Sequence, residues 1–270
     1  MSDRVTCSIN DGVADVRLNR ADKMNALDPA MFAALVEVGE ALKADPSVRA
    51  IVLSGEGRAF CAGLDFGSFQ AMADGGASRP GDAVDLSSRP EGRITNLGQQ
   101  AAYTWFEQPA PVIAAVHGAC LGGGFQIALG CDLRIVAPDV KMSVLEVRWG
   151  LTPDMTGTQL LPRVVGLDVA KELTFTGRMI DGEEAVRLGV ATRIADDPRA
   201  EALALAAEIA SKSPGAIRGA KALLNQAGTV SLEEGFTAEE RTIRSLIGSP
   251  NQVEAVTAYF EKRAPVFTDG

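Results

Sequence analysis

The stretch HGACLGGGFQIALGCD, residues 117–132, places three consecutive glycines between two apolar segments. PVIAAV (111–116) is typical of a buried strand, and residues 123–131 have the composition of a short buried helix. Because glycine loses more conformational entropy on folding than any other residue, three in a row indicate a turn without room for side chains. The first N–H groups of a helix lack partners within it, and the helix dipole adds about half a positive charge there. The stretch therefore predicts a strand, a turn and a helix whose first N–H groups are open to an anion or a polarised carbonyl.

Three uses of this turn are compatible with the sequence. Phosphate binding at the helix N-terminus is one, although neither GxxxxGK[ST] nor GxGxxG is present. Close packing of the helix on a sheet is another. A second turn suggests the third use, because GEGRAFCAGLDF (55–66) follows the apolar segment AIVLS and has Gly63 at a sharp turn. Two such turns can direct two main-chain N–H groups to one oxygen, which makes an oxyanion hole.

The flanking sequence predicts an α/β protein. VTCSI and VADVRL alternate around Asn10-Asp11-Gly12, which is typical of a hairpin. Asp28 followed by Pro29 predicts the start of a helix, and VRAIVLSG predicts the next buried strand. CDLRIVA and VKMSV predict two further strands before a helix that begins near Gly157. Strands separated by helices favour a parallel sheet with crossover helices.

Two regions depart from that pattern. Residues 66–97 are rich in Gly, Ser, Pro and Asp, which predicts a long loop that acts as a lid or lines a pocket. From about residue 165 the chain becomes mostly helical. Asp181 and Gly189 bound a short helix, VATRIA predicts a strand, and four more capped helices follow. We therefore expect an architecture with an α/β core and a helical carboxyl-terminal layer.

Composition limits the classes of function. The 270 residues carry a formal net charge of −9 without a basic run, so we expect no nucleic-acid partner. The first ten residues lack a secretory pattern, and no apolar run approaches the roughly 18 residues of a membrane span. The four cysteines are far apart and there is one histidine, so a metal site is not expected either. We therefore expect a cytoplasmic protein with reduced thiols and no membrane association.

Four motifs, in this order, resemble the crotonase, or enoyl-CoA hydratase/isomerase, superfamily. They are NRADKMNALD, GRAFCAGLDF, AAVHGACLGGGFQIALGCDLRIV and LEVRWGLTPDMTGTQLLPRVVG, and the ending AYFEKRAPVF adds to the likeness. The resemblance implies an α/β, crotonase-like spiral of repeated ββα units with a helical C-terminal layer. It implies a core over residues 1–200 that holds an acyl-CoA site, and a helical trimerisation region over residues 201–270.

The resemblance also implies an oxyanion hole. In the family two main-chain N–H groups polarise the thioester carbonyl of an acyl-CoA and stabilise its enolate, and they fall here at Leu64 and Gly123. Coenzyme A is part of the thioester substrate, so no separate cofactor is expected.

The polar side chains beside this hole point to acid–base chemistry. Gln126 stands where hydratases of the family carry a glutamate; a carboxamide orients water or donates a hydrogen bond but does not exchange a proton near neutral pH. Glu146 matches the second glutamate of the hydratases, and Asp154 matches the aspartate base of dienoyl-CoA isomerases. This pair favours double-bond isomerisation, while hydration by a water held between Gln126 and Glu146 stays open. An apolar pocket would raise both pKa values. The candidates for its wall are Phe66, Leu145 and Trp149.

Coenzyme recognition and self-association follow from the same resemblance. The coenzyme contacts are expected near the first two motifs and, from an adjacent subunit, near the last helix. The matching residues are Lys23, Met24, Ala26 and Arg58, and then Tyr259 and Lys262. A homotrimer or a dimer of trimers is implied.

Other interpretations are still compatible with these residues. The loss of a family acid at Gln126 fits a non-catalytic acyl-CoA-binding protein on the same fold. A peptidase on a related spiral fold would need a serine beside His117, which we expect to be a structural turn residue. Glu146 also fits a solvated position, and Asp154 fits the cap of the helix that starts near Thr156.

Overall fold

The computed structural model describes residues 3–65, 67 and 86–269. Within them eight strands are present: β1 (Val5–Asn10), β2 (Val13–Leu18), β3 (Ala50–Gly55), β4 (Val112–Val116), β5 (Ala119–Leu121), β6 (Leu133–Val136), β7 (Lys141–Ser143) and β8 (Arg193–Ile194). Six of them form one sheet in the order β1-β2-β3-β4-β6-β8, and β5 pairs with β7 in a second, parallel sheet. Part of the segment predicted as a long loop, residues 66 and 68–85, lies outside the described residues.

The large sheet confirms the predicted hairpin and the predicted parallel core. β1 and β2 pair antiparallel around Asp11 and Gly12, whose φ angles of 49° and 79° suit a tight hairpin turn. Every other neighbouring pair in this sheet is parallel. The carboxyl ends of β3 and β4 therefore lie at the same edge, and the segments that lead to Gly63 and, through β5, to Gly122 begin there.

The described residues contain ten α-helices: α1 (Pro29–Ala44), α2 (Leu97–Phe106), α3 (Gly123–Gly130), α4 (Gly157–Val165), α5 (Leu167–Thr176), α6 (Gly182–Leu188), α7 (Pro198–Ala210), α8 (Pro214–Gln226), α9 (Leu232–Leu246) and α10 (Pro250–Glu261). Two predicted caps are confirmed. Asp28 accepts a hydrogen bond from the N–H of Met31 at the start of α1, and Asp181 accepts one from Glu184 at the start of α6.

Apolar side chains cover both faces of the sheet. In β3, Ile51 and Leu53 join the larger buried cluster with residues of α1, α2 and α3, whereas Val52 joins a second cluster with Ala202 and Ala206 of α7. Alternate residues of a strand point to opposite faces, so one strand serves both clusters. The predicted boundary at residue 200 falls inside α7, which packs on the sheet. The division into two regions stays a prediction.

Neither α2 nor β5 was predicted from sequence. α2 begins with a capping box in which Asn96 accepts a bond from Gln99 N–H and the Gln99 side chain accepts one from Asn96 N–H. β5 has only three residues and lies inside the stretch interpreted as a turn. Within the described part of the chain, no helix has the length and apolar run needed to cross a membrane. The same residues contain no group of three or more His, Cys, Asp or Glu able to hold a metal ion.

Candidate active site

The two glycine turns lie directly against each other. Gly63 has a φ of +87°, and a Cβ added there would lie 2.7 Å from the carbonyl oxygen of Leu121 and 3.7 Å from the nitrogen of Gly123. Real Cβ atoms do not approach backbone oxygens that closely, so glycine is required at this position for both its φ and its space. The N–H of Leu121 donates to the carbonyl of Cys61 at 3.0 Å, which holds the turns together.

The N–H groups of Leu64 and Gly123 are both available. Leu27 pairs with the residues on either side of Leu64, donating to the Gly63 carbonyl at 2.8 Å and accepting from Asp65 N–H at 3.0 Å. In a parallel bridge this geometry turns the N–H of Leu64 away from Leu27. Neither that N–H nor the N–H of Gly123 donates to another of the described residues. The two groups predicted as oxyanion donors are therefore neighbours with open hydrogen-bonding capacity.

Helix α3 strengthens the second donor. Gly122 precedes it with a φ of +51°, and the N–H of Gly122 donates to the carbonyl of Ser143 at 3.0 Å. Gly123 is the first helical residue, and the remaining seven residues of α3 are buried. A helix N-terminus carries partial positive charge, and in surroundings of low dielectric that charge is less screened.

Glu146 lies beside the Gly122–Gly123 turn. Its Oε1 atom is 3.4 Å from the place a Cβ of Gly122 would occupy, and accepts a hydrogen bond of 2.6 Å from Nε2 of Gln126. Its Oε2 atom is buried and has no partner among the described residues. Burial raises the pKa of Glu146, the negative charge of Asp154 raises it further, and the bond from Gln126 opposes the shift. The result is a carboxyl group with one oxygen held and the other unpaired.

Gln126 connects Glu146 to the turn before α4. The side chain is 1% exposed, and its Oε1 atom accepts hydrogen bonds from the N–H groups of Met155 and Gly157, both at 2.9 Å. Because two N–H donors face the oxygen, the amide orientation is determined and the Nε2 group must face Glu146. A Cβ at Gly157 would lie 2.7 Å from the same oxygen, so this turn needs its glycine.

Asp154 stands at the start of that turn and is exposed. Neighbouring protein nevertheless removes enough water from its carboxylate that burial raises its pKa. The N-cap of α4 is Thr156, without a side-chain capping bond, so the alternative prediction that Asp154 caps this helix is wrong.

A cavity of about 440 Å³ opens beside Asp154. Its walls come from α2, α4, the residues just before each of these helices, and Thr229; Leu145 and Trp149 do not line it. Leu145 is half-buried immediately before Glu146, and Trp149 is 49% exposed. The expected wall of Leu145 and Trp149 around the acids stays a prediction, and Phe66 lies outside the described residues. The lining residues are Ile94, Thr95, Gln99, Tyr103, Phe106, Pro153, Asp154, Thr156, Thr158, Gln159, Leu160, Arg163 and Thr229.

Thr156 is a site residue that sequence reasoning missed. Its φ of +75° is a left-handed conformation that costs a β-branched residue about 1–2 kcal/mol. Its hydroxyl is buried without a partner among the described residues. A threonine in the sequence does not indicate a left-handed backbone conformation. The hydrogen bonds from the N–H groups of Met155 and Gly157 to Gln126 hold Thr156 in that conformation.

Asn25, also missed, joins the segments expected to bind coenzyme A. It is fully buried, accepts from Arg20 N–H at 2.8 Å, and donates to the carbonyls of Glu56 and Ala59 at 3.0 and 2.8 Å. These bonds bring the expected residues of both segments into one region. They are Lys23, Met24, Ala26 and Arg58. The carbonyl of Met24 also accepts from Ala62 N–H at 2.9 Å, which places this region next to Gly63.

The remaining candidates lie elsewhere. Tyr259 is 79% exposed and contacts Phe260 edge-on, and Lys262 ends α10 in a left-handed conformation. Within the described part of the chain, no hydrogen bond or ion pair joins either of them to the glycine turns. His117 donates from Nε2 to the carbonyl of Gly57 at 2.9 Å, which matches the expected structural role.

Comparison with known proteins identifies the family of this chain. The family model "Enoyl-CoA hydratase/isomerase" matches residues 8–270. The chain belongs to the enoyl-CoA hydratase/isomerase family. It is 35% identical over 263 residues to mouse mitochondrial methylglutaconyl-CoA hydratase, covering 95% of this chain and 79% of that protein. It is 36% identical over 264 residues to rat mitochondrial Delta(3,5)-Delta(2,4)-dienoyl-CoA isomerase, covering 93% and 77%.

Solved structures confirm the fold of this family member. The crystal structure of an enoyl-CoA hydratase from Bacillus anthracis superposes with a TM-score of 0.86 and 28% identity, covering 99% of this chain and all of that one. The predicted crotonase-like α/β fold and the crotonase type of enzyme are thus confirmed.

Proposed function

We propose that this enzyme moves a proton between carbons of an enoyl- or dienoyl-CoA through a thioester enolate. The observation that carries the proposal is the placement of the Gly122–Gly123 turn, where Gly123 N lies near the Gly63 turn and Gly122 lies near the Glu146 carboxylate. The N–H groups of Leu64 and Gly123 would hold the thioester oxygen. A carboxylate this close to the oxygen site can reach a carbon of the same acyl group.

The oxyanion pair supplies the electrostatic part of the mechanism. Negative charge grows on the thioester oxygen as the enolate forms, and preorganised N–H donors stabilise it without reorganising. Loss of one such donor typically lowers the rate about 10²- to 10³-fold. The start of α3 adds its partial positive charge to the same point.

Glu146 is the group that removes the proton. A raised pKa makes a carboxylate a stronger base than one in water, and its buried Oε2 atom has no competing donor among the described residues. Gln126 cannot exchange the proton. Its oxygen is occupied by Met155 and Gly157, which supports a positioning role for Gln126 rather than the expected role of holding water.

Asp154 is the second proton carrier in this proposal. Its raised pKa and its electrostatic effect on Glu146 support a pair that shares one acyl group. Isomerisation needs such a pair, one group to take the proton and one to deliver it. Hydration of the same substrates is the second candidate, favoured by the hydratase among the relatives.

Coenzyme binding and assembly belong to the same proposal. The region joined by Asn25, with Lys23, Met24, Ala26 and Arg58, would hold the adenine and pantetheine. Tyr259 and Lys262 would reach the coenzyme of a neighbouring subunit, which requires the homotrimer or dimer of trimers. The cytoplasmic compartment stays a prediction, since the mouse and rat relatives carry mitochondrial names.

Incubation with a panel of enoyl- and dienoyl-CoAs in deuterated water, read by mass spectrometry, tests the reaction. Deuterium in the acyl chain without the added mass of water indicates isomerisation, whereas added water indicates hydration. Glu146→Gln should abolish either signal while acyl-CoA still binds. The matched control is Glu183→Gln, an exposed position on α6. Wild-type rates in the Glu146 variant on every substrate would contradict the proposal.

A further inference from the structure

The cavity beside Asp154 has one wall from each of two helices, and we call it the α2–α4 cavity. Residues three, four and seven positions apart lie on one face of a helix. One such face of α2 and one such face of α4 line the cavity. The α2 face consists of Gln99, Tyr103 and Phe106, and the α4 face of Gln159, Leu160 and Arg163. Most of these side chains are polar.

Arg163 is a cation held in this cavity by neutral groups. Its guanidinium lies over the Phe106 ring, 5.6 Å from the ring centroid, and its Nη2 atom donates to the carbonyl of Asn225 at 2.8 Å. A second contact from Nη2 reaches the carbonyl of Ala227 at 3.3 Å. Arg163 pairs with none of the described carboxylates, and its Nε and Nη1 groups have no acceptor among the described residues.

Tyr103 is the neighbour of Arg163 on the opposite helix. Its ring stacks on Phe106 with a centroid distance of 5.4 Å, so Tyr103 and Arg163 share one aromatic support. The phenol has no hydrogen-bond partner among the described residues. Burial raises the pKa of Tyr103, which keeps its hydroxyl as a donor. A guanidinium and a phenol beside each other offer donors suited to a carboxylate.

The positions along α4 determine which end of a ligand meets these donors. Thr156 lies within the turn that Gln126 holds, and Arg163 is seven residues further, about 10 Å along the helix at 1.5 Å per residue. The negative charge of Asp154 is at the near end of the cavity and repels an anion there. A plain alkyl chain would displace water from the phenol and from the remaining N–H groups of the guanidinium without replacing its hydrogen bonds, which costs binding free energy.

We propose that the α2–α4 cavity binds the acyl group of a CoA thioester whose far end carries a carboxylate, received by Arg163 and Tyr103. The inference rests on the proposed function for the thioester end of the substrate. The donors at the far end are an independent observation.

Calorimetric binding of two saturated thioesters tests this without turnover. Hexanoyl-CoA and adipoyl-CoA have the same number of acyl carbons and differ in a terminal methyl or carboxylate. The wild-type enzyme should bind adipoyl-CoA about tenfold more tightly, as expected for a charge-assisted hydrogen bond. Arg163→Gln should remove that preference without weakening hexanoyl-CoA binding. Arg187→Gln changes an arginine that is 68% exposed on α6 and should keep the preference.

Tyr103→Phe is the second variant and preserves the ring stack. It should reduce the preference for adipoyl-CoA without abolishing it. Equal binding of both thioesters by the wild type, or an undiminished preference in Arg163→Gln, would overturn the inference while leaving the proposed function in place. Failure of both thioesters to bind would instead overturn the proposed function, and the inference with it.

Discussion

At the scale of single residues, Glu146 combines a buried carboxylate with an incomplete set of hydrogen bonds. Oε1 is held by Gln126, whereas Oε2 has no partner among the described residues. An unsatisfied buried polar group typically costs about 1–3 kcal/mol, more when charged. An ionised Glu146 therefore lowers the stability of the folded protein, and the same lack of partners leaves Oε2 available as a base.

Glu146→Gln should therefore lose activity without losing stability. We expect turnover to fall about 10²- to 10⁴-fold, the usual contribution of a general base. The pKa of Glu146 is raised in the folded protein, so the wild type loses stability as pH rises from the unfolded to the folded pKa. The variant lacks that loss, and its free energy of unfolding should exceed that of the wild type by more at pH 8 than at pH 5.

Thermal unfolding across pH 5–8, with Glu183→Gln as the control, measures this difference. A variant that is less stable than the wild type at every pH would contradict the assigned cost of the buried carboxylate.

Gln126→Met should shift the pH dependence of the reaction. The bond from Gln126 lowers the pKa of Glu146, so its removal raises that pKa and moves the acidic limb of kcat/KM to higher pH. The N–H groups of Met155 and Gly157 also lose their acceptor, which should lower the free energy of unfolding by about 1–3 kcal/mol. Gln126→Glu keeps that acceptor but faces Glu146 with a second negative charge. An unchanged pH profile in both variants would refute the positioning role.

At the scale of elements, the oxyanion site depends on two turns that pack backbone against backbone. The turn after β3 and the turn before α3 meet where Gly63 lies against Leu121. The first turn follows β3 of the large sheet, and the second follows β5, which pairs with β7. The hydrogen bond from Leu121 to Cys61 joins the two segments, and their close packing leaves little freedom for adjustment.

Gly63→Ala should destabilise the protein and abolish turnover. A Cβ there meets the Leu121 carbonyl at 2.7 Å, and a left-handed backbone is unfavourable for alanine. Together these effects should cost more than about 1–3 kcal/mol, the usual price of backbone strain alone. Gly92→Ala is the matched control, because Gly92 has a similar φ of +79° with nothing within 4 Å. Chemical denaturation and enoyl-CoA turnover of both variants separate the effect of the contact with Leu121 from the effect of the left-handed backbone. If both variants lose the same stability and activity, the close packing of Gly63 against Leu121 is not the cause.

At the scale of the whole molecule, the carboxyl-terminal helices expose large apolar side chains. Monomeric proteins rarely expose broad apolar patches, which usually mark an interface. The exposed apolar residues of α8, α9 and α10, together with the C-cap of α9, include Leu224, Leu232, Phe236, Ile243, Ile247, Val253, Tyr259 and Phe260. The apolar sides of the sheet, in contrast, are already covered within the chain. This distribution supports self-association through the C-terminal layer.

Phe236→Glu combined with Phe260→Glu should dissociate the proposed oligomer, because both changes place a charge in a surface that must lose water on association. Light scattering coupled to size-exclusion chromatography measures the mass directly. Phe175→Glu alters an equally exposed phenylalanine on α5 and should leave the mass unchanged. The double variant should also bind acyl-CoA more weakly, if Tyr259 and Lys262 serve a neighbouring subunit. A monomeric wild type would contradict this prediction.

The sequence by itself determined the elements whose signals are local. The hairpin at Asp11-Gly12, the cap at Asp28 and the short helix after Asp181 depend on contacts within a few residues, and all three are confirmed. The motifs also identified the family, because their order along the chain is specific. The capping box of Asn96 and Gln99 at the start of α2 is a local signal of the same kind, so this helix is also predictable from sequence.

Only the tertiary structure determines which of these turns, helices and side chains contact one another. The contact of Gly63 with Leu121, the bond from Gln126 to Glu146 and the left-handed turn at Thr156 join residues or segments far apart in the chain. Such contacts follow from how strands and helices stack, and no local pattern encodes them. The same holds for the α2–α4 cavity, whose polar walls belong to two helices separated by about fifty residues, as their bounds show. Local chemistry specifies turns and caps, whereas burial in a shared core specifies which side chains meet.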